Sequence, residues 1–276
     1  MPEKSCNFTS SNKLEIFALI FSVSIITFNH AKYIEKTINS ILKQKTTFRF
    51  EILIHDDASE DETSIIIEKY KKKFPNIIFP IYQTENQYNF LKKNVSPNNP
   101  PLNHVNFKRA RGEFIAMCDG DDFWQSENKL EIQVMQMRNH KNIDVSFHGL
   151  NIFNYKNQKN IEKLISKKNK IFNTNKVIFY HHRLYTSTVT MMIRKRLVLN
   201  LPEFYFKVPT EDFYLLLFGS KRGGALYISK VLSTYNLFVP NSWSSKKRNP
   251  NHYLYNVKTL FDVKKYYKFS FFSVIT

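Results

Sequence analysis

The amino-acid sequence predicts an α/β fold: a central, mostly parallel sheet flanked by helices and followed by a basic C-terminal extension. Two observations predict it. Apolar runs of strand length alternate with segments whose apolar residues recur at helical spacing, and clusters of Asp close the apolar runs. In open α/β sheets, ligands bind beyond the carboxyl ends of the strands, so acids at those ends also locate a candidate site.

FSVSIITF (21–28) reads as a buried strand, after which Tyr33, Ile34, Thr37, Ile38, Ile41 and Leu42 recur at helical spacing. FEILIHD (50–56) is a second strand. Ser59 stands three residues before Glu62, the spacing of a capping box, ahead of a helical stretch through Tyr70. NIIFPIYQ (76–83) is a third strand, which Pro80 assigns to an edge or an irregular end. Pro and Asn make 94–103 a loop, and VNFKRARG (105–112) is a short basic helical piece. EFIAMCD (113–119) is the fourth strand, and Ser126 is placed to cap a helix whose Leu130, Val134 and Met137 share one face. IDVSFHGL (143–150) is the fifth. Residues 151–182 are basic, Asn-rich and less periodic. Then follow a strand over 184–193, a short helix at 195–200, a helix that starts near Glu211 and stops at Gly219 or at Gly223-Gly224, and a strand region over 225–236.

A chain of 276 residues, 42% hydrophobic and 23% charged, suits one large domain and excludes both global disorder and a multi-span membrane protein. Cys6 and Cys118 are too few for a disulfide scaffold or a Cys-rich zinc site and fit a reducing, cytoplasmic setting. The apolar stretch from Glu15 to Phe28 is shorter than the roughly 20 residues of a membrane span, and no small-residue cleavage site follows it. The formal charge of +18 is unevenly distributed: 19 Lys and Arg face 18 Asp and Glu over 1–150, but 22 face 5 over 151–276. Such asymmetry points to a polyanion or an anionic membrane surface, with AT-rich codon usage an alternative source of lysine.

Three acidic groups stand out: Asp56-Asp57, Asp119-Gly120-Asp121-Asp122 and Glu211-Asp212. Three carboxylates within four residues repel one another unless a cation sits among them, and Mg²⁺-type sites use one or two carboxylates together with phosphate oxygens. Gly120 gives that turn backbone freedom. An EF-hand is excluded, because its other loop ligands and its bidentate Glu are absent. The outer two pairs also read as ordinary helix-start material. His30, His55 and His148 read as packing groups, and Cys118 as core.

The stretches VSIITFNHAKYIEKTINSIL, FEILIHDDASEDET and ARGEFIAMCDGDDFWQSENKLEIQV together resemble the family 2 glycosyltransferases of the GT-A fold, notably bacterial enzymes building surface polysaccharide or lipooligosaccharide. The resemblance implies a Rossmann-like GT-A domain over 21–245, with a nucleotide-binding half (21–125) and an acceptor-side half (126–245). A loose segment (1–20) precedes it, and a basic, aromatic tail (246–276) follows. It implies a nucleotide-sugar donor, with UDP expected, and a glycan or lipid-linked glycan acceptor. Thr27, Phe28 and Asn29 would line the base pocket, with Phe28 where a stacking Tyr is usual, and Asp57 would accept a hydrogen bond from the base. Asp119 would meet the ribose or a metal-bound water, and Asp121 would ligate Mn²⁺ or Mg²⁺, with Asp119 and Asp122 as alternative ligands. Phe123 and Trp124 read as anchors of the turn, with Trp124 alternatively bordering the sugar as a substrate contact; Glu211 would contact substrate, and Asp212 would be the general base of an inverting displacement.

One departure accompanies the likeness. Similar enzymes carry a His in a segment like YRxHxxxxWS; here Asn236 replaces the Arg and Phe238 the His. This raises the alternative of a catalytically impaired assembly partner with the same fold. A nucleic-acid-binding module is disfavoured, because no recognised motif interleaves basic and aromatic residues. The expected location is cytoplasmic, with peripheral contact to an anionic inner membrane face through the basic half.

Overall fold

The structure, a computed structural model, describes residues 20–88, 102–180, 184, 186–207, 211–240 and 242–245. The expectations for 1–19, for the loop over 94–101 and for the tail 246–276 lie outside the described residues.

The elements follow the predicted alternation. β1 (Ile20–Thr27), α1 (Ile34–Leu42), β2 (Arg49–Asp56), α2 (Thr63–Lys73), β3 (Ile78–Tyr82), α3 (Leu102–Arg109) and β4 (Phe114–Asp119) form the first half. β5 (Phe123–Trp124), α4 (Lys129–Asn139), β6 (Val145–Asn154), β7 (Lys159–Lys163), β8 (Lys170–Phe172) and α5 (Thr174–Tyr180) come next. After a 3-10 turn at Thr188–Thr190 come β9 (Met192–Arg194), α6 (Lys195–Val198), α7 (Glu211–Gly219) and β10 (Ala225–Leu237).

The strands make one sheet in the order β3-β2-β1-β4-β9-β6-β10-β5, with β7 against β6 and β8 against β10. β1 is parallel to both β2 and β4, β2 to β3, and β10 to β6. The short β9 runs antiparallel between β4 and β6, so the six main strands all point the same way. β3, carrying Pro80, is the edge strand, as expected of a residue that cannot donate to a ladder.

Alternation along the central strands feeds two cores. Ile52 and Ile54 face the side packed by Ile34, Ile38 and Ile41 of α1, Ile67 of α2, and Leu130, Val134 and Met137 of α4. Leu53, Ile115 and Met117 face the other side, with Phe107 of α3 and Leu215–Phe218 of α7. These strands are covered on both faces, which is why they read as continuous apolar runs.

Four local expectations change. The capping box at Ser59–Glu62 does not form: the α2 N-cap, Glu62, makes no side-chain cap bond, and Ser59 Oγ is turned toward Asn29 and Asp56. Ser126 does not cap α4 either. Gln44, from the end of α1, accepts from Leu130 N–H at 3.0 Å and donates to Ser126 O at 2.7 Å. The run 184–193 is a strand only over Met192–Arg194, because Thr188–Thr190 is wound into a 3-10 turn. Finally, 151–180 is largely structured, as the end of β6, then β7, β8 and α5. β7 is exposed along most of its length, so it carries no apolar alternation to read.

Candidate active site

The parallel register brings the acidic clusters to one edge. Thr27 at the end of β1 lies opposite Asp56 of β2, and Ile26 lies opposite Asp119 of β4. The loops leaving these strands therefore meet. Asp57 N–H donates to Thr27 O at 2.9 Å, and Gly120 N–H to Ile26 O at 2.8 Å.

Backbone strain collects here. Four non-glycine described residues have positive φ, and three sit around this edge: Asn29 (55°), Ala58 (61°) and Phe238 (62°). The left-handed region costs a residue with a Cβ about 1–2 kcal/mol, and it persists where the surroundings over-determine it. Asn29 is fixed twice: its N–H donates to Ser59 Oγ at 2.9 Å, and its Oδ1 accepts Glu60 N–H at 2.8 Å. Phe238 N–H donates to Ser244 Oγ at 2.8 Å, and Lys156 Nζ lies 4.1 Å from the centre of its ring. A lysine thus stands beside the position where similar enzymes have His.

Gly120 is required by space rather than by φ. A Cβ there would lie 2.4 Å from Thr27 Oγ1 and 2.6 Å from Thr27 Cβ, so the acidic turn packs directly on the end of β1. Thr37 of α1 ties the turn from below, its hydroxyl reaching Gly120 O at 2.9 Å and Asp122 O at 2.6 Å.

The three acids of the turn have different surroundings. Asp119 Oδ2 accepts from Thr188 Oγ1 at 2.6 Å. Asp121 lies 3.7 Å from His30 Nε2. Asp122, 1% exposed, accepts Asn236 N–H on Oδ1 at 2.7 Å, while its Oδ2 is buried without a hydrogen-bond partner. Asn236 also donates its side-chain amide to Asp121 O. Burial, reinforced by the Asp121 charge, pushes Asp119 up to about 6; burial pushes Asp121 to about 6 and Asp122 well above the carboxylate range. Burial holds His30 down at about 4, leaving it neutral at pH 7. Among the described residues no Lys or Arg bridges to these acids. The turn therefore concentrates negative charge without a protein cation to balance it.

Glu211 and Asp212 open α7, whose start is tied through Asn103 of α3 to β1, since Asn103 Oδ1 accepts Ser24 Oγ–H at 3.0 Å. Burial is the main cause of the Glu211 shift, to about 8. Its Oε1 accepts Asn103 N–H at 3.3 Å, and its Oε2 is buried and unpartnered.

Of the residues singled out from sequence, Thr27, Asn29, Asp57, Asp119, Asp121 and Asp122 share this edge, with half-buried Phe28 between Thr27 and Asn29. Asp57 has its carboxylate turned onto the chain after β3, accepting Gln87 N–H at 2.7 Å and Tyr88 N–H at 3.0 Å. Trp124 is 3% exposed within the core, with Lys129 Nζ 4.2 Å from its ring, the place of a turn anchor; of its two readings only the alternative, bordering a sugar, does not fit. Cys118 is buried core, and burial raises its thiol pKa. Thr188 and Thr37 were missed, and Asn236 was singled out only as a departure from the family's Arg. Asn236 carried a readable signal, as a polar amide in an otherwise strand-like run; Thr188 and Thr37 carried none.

A family model described as "Glycosyl transferase family 2" matches residues 22–91, the segment holding β1, β2, Asp57 and their loops. Poly(ribitol-phosphate) beta-N-acetylglucosaminyltransferase TarS of Staphylococcus aureus is 37% identical over 110 residues, covering 39% of this chain and 17% of that protein. Over residues 22–91 the chain is similar to the family 2 glycosyltransferases. An uncharacterized protein of Mycobacterium tuberculosis is 33% identical over 135 residues, 48% of this chain and 35% of its own length. The match thus spans about a third of that relative and less of TarS. Among solved structures, TarS 1-349 in complex with UDP-GlcNAc superposes with a TM-score of 0.65 at 21% identity, covering 86% of this chain and 64% of that one. A mannosyltransferase from Pyrobaculum calidifontis in complex with GDP-Man and Mn2+ gives 0.54 at 15% identity, covering 81% and 58%. At these identities the likeness establishes the GT-A fold.

The donors of the acidic turn bear on its fit to a divalent cation. No group of three or more His, Cys, Asp or Glu among the described residues closes a metal cage. What the turn offers is unbalanced carboxylate oxygen, including the unpartnered Asp122 Oδ2. That set fits a hard cation held by one or two carboxylates and completed by the oxygens of a bound diphosphate.

Proposed function

We propose that the chain transfers a sugar from a nucleotide-diphosphate-sugar, a UDP-sugar in the first instance, to a hydroxyl of a glycan or lipid-linked glycan acceptor. The observation that carries this reading is the meeting of the carboxyl ends of β1, β2 and β4, which gathers Asp57 and the Asp119–Asp122 turn at one edge, with the start of α7 tied to α3 by the Glu211–Asn103 bond. A base and a polyphosphate site must face the same anomeric carbon, and in this reading Asp212, at the start of α7, is that base. Solved structures of similar fold in complex with UDP-GlcNAc, and with GDP-Man and Mn2+, support the donor class.

In this reading Thr27–Asn29 and Asp57 shape the base pocket, and Asp119 orients the ribose. Asp121, with Asp119 or Asp122, would hold Mn²⁺ or Mg²⁺. When bound, that cation supplies the positive charge that stabilises a departing nucleoside diphosphate. Asp212 takes the proton of the acceptor hydroxyl as it attacks from the face opposite the leaving group, which inverts the anomeric centre and needs no covalent enzyme intermediate. Glu211, beside it, contacts the acceptor. The halves 21–125 and 126–245 divide the labour between donor and acceptor.

The acceptor side carries the positive charge. Lys156, Lys159, Lys167, Lys168, Lys170 and Lys176 are exposed, with Glu162 the one acid in that span. This supports a phosphorylated or lipid-linked acceptor in synthesis of surface polysaccharide or lipooligosaccharide, met at the cytoplasmic face of a membrane the protein contacts peripherally. Among the described residues no helix is long and apolar enough to cross a membrane. The test is a panel of UDP-, GDP- and dTDP-sugars with Mn²⁺ or Mg²⁺, scored by nucleotide release and thermal shift. Metal-dependent release from at least one donor is the expected result; no binding of any donor or nucleotide ends the enzyme reading.

A further inference from the structure

We propose that Thr188 is a positioning residue of the donor site, fixing which oxygen of Asp119 faces the ligand; this rests on the donor-site reading above. Thr188 Oγ1 donates to Asp119 Oδ2 at 2.6 Å, 69 residues along the chain. A hydroxyl–carboxylate bond of that length is charge-assisted and directional. It occupies Oδ2 and sets the rotation of the carboxylate. Oδ1, which accepts no hydrogen bond among the described residues, is left to meet a ribose hydroxyl or a cation. In a turn with three mutually repelling acids, an untethered carboxylate would swing away from its neighbours.

The turn that delivers this hydroxyl is braced from three directions. Ser233 Oγ on β10 donates to Val189 O at 3.0 Å, Gln133 Nε2 on α4 donates to Thr190 O at 3.0 Å, and Met117 N–H on β4 donates to Met191 O at 3.3 Å. Gln133 is itself held by Lys129, whose Nζ donates to Gln133 Oε1 at 2.6 Å. Both side chains are wholly buried. Buried amides and ammonium groups are costly unless paired, and this pair ends on the carbonyl beside Thr188. Lys129 also stacks on Trp124, two residues beyond the acidic turn. The polar core thus links the 119–122 turn to the 188–190 turn, and its output is the geometry of one carboxylate.

The test compares Thr188→Val, which keeps the shape but removes the donor, with Thr188→Ser, which restores it. Binding of UDP in the presence of Mn²⁺ is measured by calorimetry, with thermal midpoints for all three proteins. Thr188→Val should weaken UDP by about tenfold, the scale of one hydrogen bond to a charged group, with a midpoint close to wild type. Thr188→Ser should recover affinity to within about twofold of wild type. Undiminished UDP affinity in Thr188→Val overturns the inference. So does equal loss in both variants, because packing rather than the hydroxyl would then be responsible. Wild-type protein that binds no UDP instead overturns the donor-site reading and this inference with it.

Discussion

Asn236 donates its backbone N–H to Asp122 Oδ1 at 2.7 Å, joining β10 to the acidic turn across 114 residues of sequence. The same residue's side chain bonds Asp121 O, so β10 holds the turn together with Thr37 of α1 and the turn's own Asp122 N–H to Asp119 O bond. Asp122 is the least exposed acid of the three, with Oδ1 held by Asn236 and Oδ2 unpartnered.

Truncating that acid should therefore destabilise the fold. Asp122→Ala leaves a buried N–H without an acceptor, which costs about 1–3 kcal/mol. Asp122→Asn keeps an acceptor oxygen and removes a charge that burial already disfavours, so it should cost less than half as much. Urea midpoints of the two variants decide this, and equal losses would show that the charge, not the acceptor, matters.

Gly120→Ala should be more damaging than a glycine in an ordinary turn. The new methyl would meet Thr27 at 2.4 Å from its Oγ1, so β1 and the acidic turn must separate. The expected cost is about 1–3 kcal/mol from overpacking, together with lost UDP binding. A variant with an unchanged thermal midpoint and unchanged UDP affinity would refute the close approach.

Glu211 gives a pH signature. Its folded-state value is raised by burial from 4.5 to about 8, so the folded protein binds one proton more than the unfolded chain between those limits. That contribution is complete below 4.5 and is lost as the pH rises through about 8. Stability should fall across this window by up to roughly 1.4 kcal/mol per pH unit from this group. The Asp119 and Asp212 charges also raise Glu211, so the measured quantity is the difference from Glu211→Gln, which lacks the group. If wild type and Glu211→Gln have parallel stability curves from pH 5 to pH 8, the carboxyl is not buried as described.

Much of the fold was legible because its central strands are buried on both faces and its helices bury one stripe: β1, β2, β4, α1 and α4 each announce themselves by period. The carboxylates were legible because acids closing apolar runs are costly without a purpose. What was not legible depends on distant partners. Gln44 caps α4 from another helix, so the local Ser126 is a false signal. Ser59 has capping-box spacing but is engaged by Asn29 and Asp56. Trp124 beside three acids suggests a pocket, yet only the packing of Lys129 and α4 shows that the ring faces the core. Thr188 becomes a site residue solely because β9 enters the sheet next to β4, a pairing that no local pattern encodes.

The central claim is that one sheet edge holds a cation-assisted diphosphate site and a separate base. The most direct measurement titrates UDP, with and without Mn²⁺, into wild type, Asp121→Asn and Asp212→Asn, and follows sugar transfer from the donor each binds. Wild type should bind UDP more tightly with Mn²⁺, and Asp121→Asn should lose that gain. Asp212→Asn should bind UDP as wild type does while transfer falls by about 10²–10⁴. Unchanged transfer in Asp212→Asn, or unchanged Mn²⁺ dependence in Asp121→Asn, would contradict the account.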